Sequence, residues 1–204
     1  MNHANISVIL IIPSASYRTN PFIDAATKLD INILVITDKS QVFSEYYPDN
    51  VITMNFEHWQ ESIENIHEWS ERYDLKAVIG VDEESIILAA KLSESLCIEH
   101  NSLESVKLTK NKYLMRSELK KSGLKSPWFI RFYVHETPKD IFSELIFPCV
   151  IKPTFLSASQ GVLRVNSFEE FGKGCEMLSD LLAEEKVKKR GGDQANWILV
   201  EEYI

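Results

Sequence analysis

The chain has 204 residues, with 22 Lys and Arg against 30 Asp and Glu and a formal net charge of −8. That balance excludes a protein that grips nucleic acid through a broad basic face, although local lysines can still hold an anionic nucleotide. At 45% hydrophobic and 25% charged residues, the composition is that of a soluble globular chain, long enough for one large domain or two smaller ones.

The first half alternates strands and helices. Residues 6–12 form a continuous apolar run, Ile6-Ser7-Val8-Ile9-Leu10-Ile11-Ile12, as expected of a strand covered on both faces. The run is too short for a signal-peptide core and has no Lys or Arg before it. No segment reaches the roughly 20 apolar residues of a membrane span. A helix over 21–29, a strand over 31–36 and a shorter strand over 51–56 follow. A helix is expected over 58–73, with Ile63, Ile66 and Trp69 on one face, then a strand over 77–81 and a helix over 84–95. This alternation implies a parallel sheet with right-handed crossovers.

The first strand-to-helix turn, Pro13-Ser14-Ala15-Ser16-Tyr17-Arg18, has no glycine, which disfavours binding of NAD or FAD through a G-x-G-x-x-G turn. Ser14 and Ser16 also lack a G-x-S-x-G setting, so a nucleophilic hydrolase has no support. Asp38 and Asp82-Glu83-Glu84 fall after strands, where helix capping is the first reading and substrate contact the second.

Residues 105–122 read as one connecting helix, with Gly123 and Pro127 as stop signals. A strand over 128–134, a short helix over 138–145, and strands over 148–152 and 162–165 come next. Ser167 is placed to cap a long helix carrying Phe168, Phe171, Met177, Leu178, Leu181 and Leu182. The charged run 184–192 ends in two glycines and reads as a mobile loop, before a final strand over 196–204. Cys97, Cys149 and Cys175 are widely spaced, and the first two read as core thiols in a reducing, cytosolic compartment. The histidines at 3, 58, 67, 100 and 135 show no metal-ligand spacing.

The sharpest chemical signal is Phe147-Pro148-Cys149-Val150-Ile151-Lys152-Pro153, followed by Ser157-Ala158-Ser159-Gln160-Gly161-Val162. An apolar strand seldom ends on a lysine without a partner, because desolvating an unpaired ammonium is costly. A loop of small residues beside it can turn backbone N–H groups toward an anion. Together they suggest a phosphate clamp.

In this order along the chain, Asn111-Lys112-Tyr113-Leu114-Met115-Arg116, Val150-Ile151-Lys152-Pro153, residues 157–162 and Leu199-Val200-Glu201-Glu202-Tyr203-Ile204 resemble the ATP-grasp superfamily, with its carboxylate–amine and biotin carboxylase-like ligases. The resemblance implies an α/β fold in three parts. These are a Rossmann-like, parallel-sheet pre-ATP-grasp domain over 1–104, a linker helix over 105–126, and the smaller, α+β nucleotide-gripping lobe over 127–204, ending at the hinge strand. It also implies an ATP site in which Lys112 and Lys152 reach the phosphates and Ser157, Ser159, Gln160, Gly161 and Val162 cover them. Adenine would be read by backbone at Glu202 and Ile204, with Glu201 assisting.

In the resembled family, ATP and a carboxylate form an acyl-phosphate that an amine then attacks, with Mg2+ bridging the phosphates. The ligands for Mg2+ are expected C-terminal to Ile204, so no residue of this chain is assigned a catalytic or metal-binding role. The expectation is therefore the N-terminal portion of a cytoplasmic ligase, with its C-terminal lobe absent and inactive alone. Its expected partners are ATP and a small carboxylate, without nucleic acid or membrane, and a homo-oligomer or a second chain could supply the missing lobe. Two other readings stay open: a split or degenerate binding or regulatory module, and a nucleotide-independent Rossmann-like binding protein.

Overall fold

The computed structural model describes residues 6–39, 50–136, 141 and 143–204. The chain divides into two compact units, Met1–Lys107 and Leu108–Ile204.

The first unit is built on a sheet of β1 (Ile6–Ile11), β2 (Asn32–Thr37), β3 (Val51–Thr53) and β4 (Asp74–Gly80). Its order is β3-β2-β1-β4, and every pairing is parallel. The connections carry α1 (Thr19–Lys28), α2 (Ile63–Arg72) and α3 (Ile86–Ser95). β1 is an interior strand, which explains its unbroken apolar run. Ile9 and Ile11 pack with Ile66, Trp69, Leu88 and Leu92 on one side of the sheet. Leu10 and Ile12 pack with Phe22, Ile23 and Ala26 on the other. The helix expected over 58–73 begins instead with a 3-10 segment, Phe56–Ser62, where His58 leaves the helical region at φ −111° and ψ 34°.

The C-terminal ends of these strands hold a small polar network. The Ser14 N–H donates to Asp38 Oδ1 at 2.6 Å, and Ser14 Oγ donates to Oδ2 at 3.1 Å. Asp38 thus pins the first turn to the end of β2. Asp82 lies 3.8 Å from Arg18 Nε, while Ser85 occupies the N-cap position of α3. Gly80 allows β4 to meet that helix, because a Cβ there would sit 2.8 Å from the backbone nitrogen of Ile86.

Helix α4 (Leu103–Thr109) spans the division between the units. The second unit contains α5 (Lys112–Lys121), β5 (Phe129–Tyr133), β6 (Cys149–Pro153), β7 (Leu163–Val165), α6 (Phe168–Ala183), α7 (Glu185–Gly191) and β8 (Trp197–Glu202). Its four strands form an antiparallel sheet in the order β5-β8-β6-β7. One face of the sheet is the core: Cys149, Ile151, Ile198, Val200 and Phe132 pack on Phe171, Leu178 and Leu182 of α6. Ser167 caps α6 as expected, accepting from the Glu170 N–H. The Asn166 amide donates to the Glu170 carboxylate and holds its pKa below the usual value.

Three sequence expectations need correction. The single helix expected over 105–122 is broken at Asn111, whose backbone is extended and whose side chain accepts from the N–H groups of Tyr113 and Leu114. Asn is a strong N-cap, so a second helix starts there with Lys112 in its first turn. The run 184–192 is not a mobile loop, because most of it forms α7. Glu185 in its first turn and Lys188, Lys189 and Arg190 in its last match the helix dipole, so the charges that suggested a loop support a helix. The helix expected over 138–145 falls partly outside the described residues.

The third correction concerns Cys97, which is exposed at the turn ending α3 with φ 54°, whereas Cys149 and Cys175 are buried. Burial pushes the Cys149 thiol up to about 11 and the Cys175 thiol up to about 12. Thiolate is the reactive species, so a disulfide reagent at mildly alkaline pH should modify Cys97 quickly and the other two only after unfolding. Rapid modification of all three in the native protein would contradict this burial.

Candidate nucleotide site

Alternation along β6 fixes which residues leave the core. Cys149, Ile151 and Pro153 are buried, while Val150 and Lys152 are half-buried and lie on the opposite face. On neighbouring β8, Glu201 pairs in register with Val150, and Leu199 pairs with Lys152. Lys152 and Glu201 are therefore diagonal neighbours on one face, within reach of long side chains.

They meet directly, with the Lys152 ammonium donating to Glu201 Oε1. A second cation arrives from α5, where Arg116 Nε donates to Glu201 Oε2 at 3.1 Å. Glu201 is only 7% exposed, so a carboxylate in low dielectric is held by a charge on each oxygen. Both cations are long side chains whose heads keep partial solvent access.

Lys112 comes to the same region from the start of α5. Its backbone N–H donates to Thr154 O at 2.8 Å, and its ammonium donates to Leu156 O. Both acceptors lie in the segment that follows β6. Asn111 strengthens the joint, since its amide donates to Gln194 Oε1 at 3.0 Å while its oxygen caps the helix. Thr154, Phe155 and Leu156 are buried, so they form a fixed base, and only the residues beyond them emerge.

The emerging loop turns tightly. Ala158 and Ser159 have φ of 52° and 59°, the left-handed region that side chains usually avoid. Gln160 N–H donates to Ser157 O, and Val162 N–H donates to Ser159 O, which closes the turn. Gly161, at φ 68°, ends it against α6, where a Cβ would lie 2.8 Å from Leu181 Cδ2 and 2.9 Å from Leu178 Cδ2. Ser159, Gln160 and Val162 are exposed, and Ser157 accepts from Arg190 at 3.4 Å. At the end of β8, the Glu202 N–H donates to Trp128 O at 3.0 Å. Tyr203 lies under the Arg164 guanidinium, 4.1 Å from ring centre to Cζ, and Ile204 is exposed.

The second unit thus brings Lys112, Lys152, residues 157–162 and Glu201 onto two connected strands and one helix end. Residues 145–204 match the ATP-grasp domain family. Over that stretch the chain is similar to ATP-grasp proteins. Alanine–anticapsin ligase of Bacillus subtilis (strain 168) is 25% identical over 179 residues, which cover 85% of this chain and 38% of that protein. The crystal structure of an L-amino acid ligase from Bacillus licheniformis superposes with a TM-score of 0.72 at 20% identity, covering 98% of this chain and 47% of that one. Carboxyaminoimidazole ribonucleotide synthase from Aspergillus clavatus, solved with ATP, gives 0.62 at 18% identity, covering 100% of this chain and 48% of that one. The chain therefore spans about half the length of the ATP-grasp structures it matches, and less of the curated relative. Its fold is theirs, a parallel α/β unit followed by an antiparallel ATP-grasp unit.

Two features of this site have no role in the sequence reading. Arg116 was visible only as a helix residue, although its place four residues after Lys112 sets both on one helix face. Asn111 and Gln194, 83 residues apart, had no signal linking them.

Proposed function

We propose that this chain holds ATP in its second unit and serves an ATP-dependent ligase that joins a carboxylate to an amine. The arrangement that carries this reading is Lys152 near the end of β6, held by Glu201, with Lys112 fastened to the segment that runs from β6 into the small-residue loop. In this reading the chain has a pre-ATP-grasp domain over 1–104, a linker over 105–126 and a nucleotide-gripping lobe over 127–204. Lys112 and Lys152 contact phosphate oxygens, while Ser157, Ser159, Gln160, Gly161 and Val162 cover the phosphates and exclude water. Lys152 has three donors, so its bond to Glu201 leaves capacity for phosphate. Adenine is read by backbone at Glu202 and Ile204, and Glu201 acts by orienting Lys152.

The reaction of this class balances simply. A carboxylate oxygen attacks the γ-phosphorus and ADP leaves; an amine then attacks the acyl carbon and inorganic phosphate leaves. The small carboxylate, the amine and a cytoplasmic setting belong to the same proposal. Magnesium enters with the nucleotide in this reading, and no residue of this stretch is proposed as its ligand.

Calorimetry of the chain with ATP and magnesium tests the reading. Weak saturable binding without phosphate release is expected, together with protection of residues 157–161 from proteolysis. Tight, sub-micromolar binding or phosphate release would overturn the expectation that this stretch, about half the length of the matched structures, binds ATP weakly without turning it over. Absence of any protection by ATP would favour a nucleotide-independent binding protein.

A further inference from the structure

The sheet face that carries Lys152 also carries, across β8, an arginine of unusual setting: Lys152 on β6 and Arg131 on β5 both pair in register with Leu199. Arg131 on β5 lies over two aromatic rings, its Cζ 4.1 Å from the centre of Tyr113 and 4.3 Å from that of Trp197. Neighbouring Ile130 and Phe132 pack with the α6 core, so Arg131 belongs to the outer face. Cation–π contact with two rings restrains the guanidinium and uses none of its N–H donors. Among the described residues it has no hydrogen-bond or ion-pair partner.

Arg131 lines an open cleft of about 580 Å³ together with Tyr113, Lys120, Lys121, Glu144 and Trp197. A second cleft of about 420 Å³ shares Lys120 and Glu144 and adds the apolar surface of Leu124, Pro127, Trp128 and Ile146. Leu124 and Ile146 are each about 60% exposed and offer apolar surface beside the cationic groups.

We infer that this pair of clefts binds a small monocarboxylate, with its carboxylate on the Arg131 fork and its apolar body along Leu124 and Ile146. A planar guanidinium held in place matches a carboxylate bidentately at little further cost in side-chain entropy. The charge of the wall selects the class. Lys121 is already 3.5 Å from Glu118, and Glu144 adds a negative charge to both clefts, so the site suits one negative charge rather than a polyanion. The inference does not depend on nucleotide binding.

Octanoate is the probe, with acetate and inorganic phosphate as comparisons, followed on the whole chain through the Arg131 Nε–H and Trp197 indole N–H resonances. Octanoate should give saturable shifts at both groups. Acetate should bind more weakly, and inorganic phosphate should give no saturable shift. Arg131→Gln should weaken octanoate roughly tenfold or more, by loss of a charged hydrogen-bonded pair. Arg131→Lys keeps the charge without the fork and should fall between. Leu124→Ser, on an exposed site that folding does not need, should weaken octanoate while leaving acetate unchanged. Absence of saturable shifts, unchanged affinity in Arg131→Gln, or phosphate binding as tight as octanoate would each overturn the inference.

Discussion

Replacing Glu201 by alanine should destabilise the second unit by about 3 kcal/mol, the lower end of the range for removing one partner of a buried ion pair. The change removes a few carbon–carbon contacts, but its main cost is electrostatic. Lys152 and Arg116 both point at the Glu201 carboxylate, and without it two cations face each other in a poorly solvated space. The lower end applies because Arg116 is 23% exposed and can turn toward water. Glu201→Gln keeps the shape and part of the hydrogen bonding, and should cost about 1–2 kcal/mol. The readout should be local, because two compact units need not unfold together. Amide exchange of β6 and β8 meets that need, since these strands lie at the centre of the sheet. A loss under about 0.5 kcal/mol for Glu201→Ala would be that of an ordinary surface substitution, and would show that the carboxylate does not hold the two cations together.

The second large effect is on binding. Lys152→Ala should weaken ATP by roughly 10–100-fold, the equivalent of about 1.5–3 kcal/mol for a charge-assisted hydrogen bond. Part of that loss would come from Glu201 rather than from the lysine. Once Lys152 is gone, the carboxylate keeps, among the described residues, Arg116 as its partner and presents negative charge toward the phosphates. Lys152→Ala combined with Glu201→Gln should therefore bind ATP better than Lys152→Ala alone, a non-additivity that a double-mutant cycle measures. Lys112→Ala should cost less, roughly tenfold, because its ammonium is already held by the Leu156 carbonyl. Unchanged ATP affinity in Lys152→Ala would remove the central residue of the proposed site.

These two experiments also separate a structural role from a binding one. If Glu201→Ala unfolds the sheet while Glu201→Gln keeps ATP affinity, Glu201 acts through the position of Lys152. If Glu201→Gln loses affinity with its stability intact, the carboxylate contacts the nucleotide. The loop offers a similar contrast at Gly161, where a side chain would meet both positive φ and the methyl groups of Leu178 and Leu181. The turn is therefore anchored at its glycine end, while Ser159 and Gln160 remain exposed at its tip.

By itself the sequence determined the elements whose cause is local or periodic. The unbroken apolar run of β1 demanded cover on both faces, and the parallel sheet supplies it through α1 on one side and α2 and α3 on the other. The lysine that closes the apolar run of β6 marked a position needing a reason, and Ser167 announced the start of α6. The order of the lysine, loop and hinge segments was also legible, because each is a short contiguous stretch. What only the tertiary structure decided were the partners: Glu201 shared between a strand lysine and a helix arginine, Lys112 fastened to Leu156, and Arg131 set over the rings of Tyr113 and Trp197. Each joins residues far apart in sequence, and a side chain's charge or ring does not say which distant group the packing will bring within reach. For the same reason Cys97, apolar in its sequence neighbourhood, finishes exposed: the chain turns there with positive φ and leaves the helix it had followed.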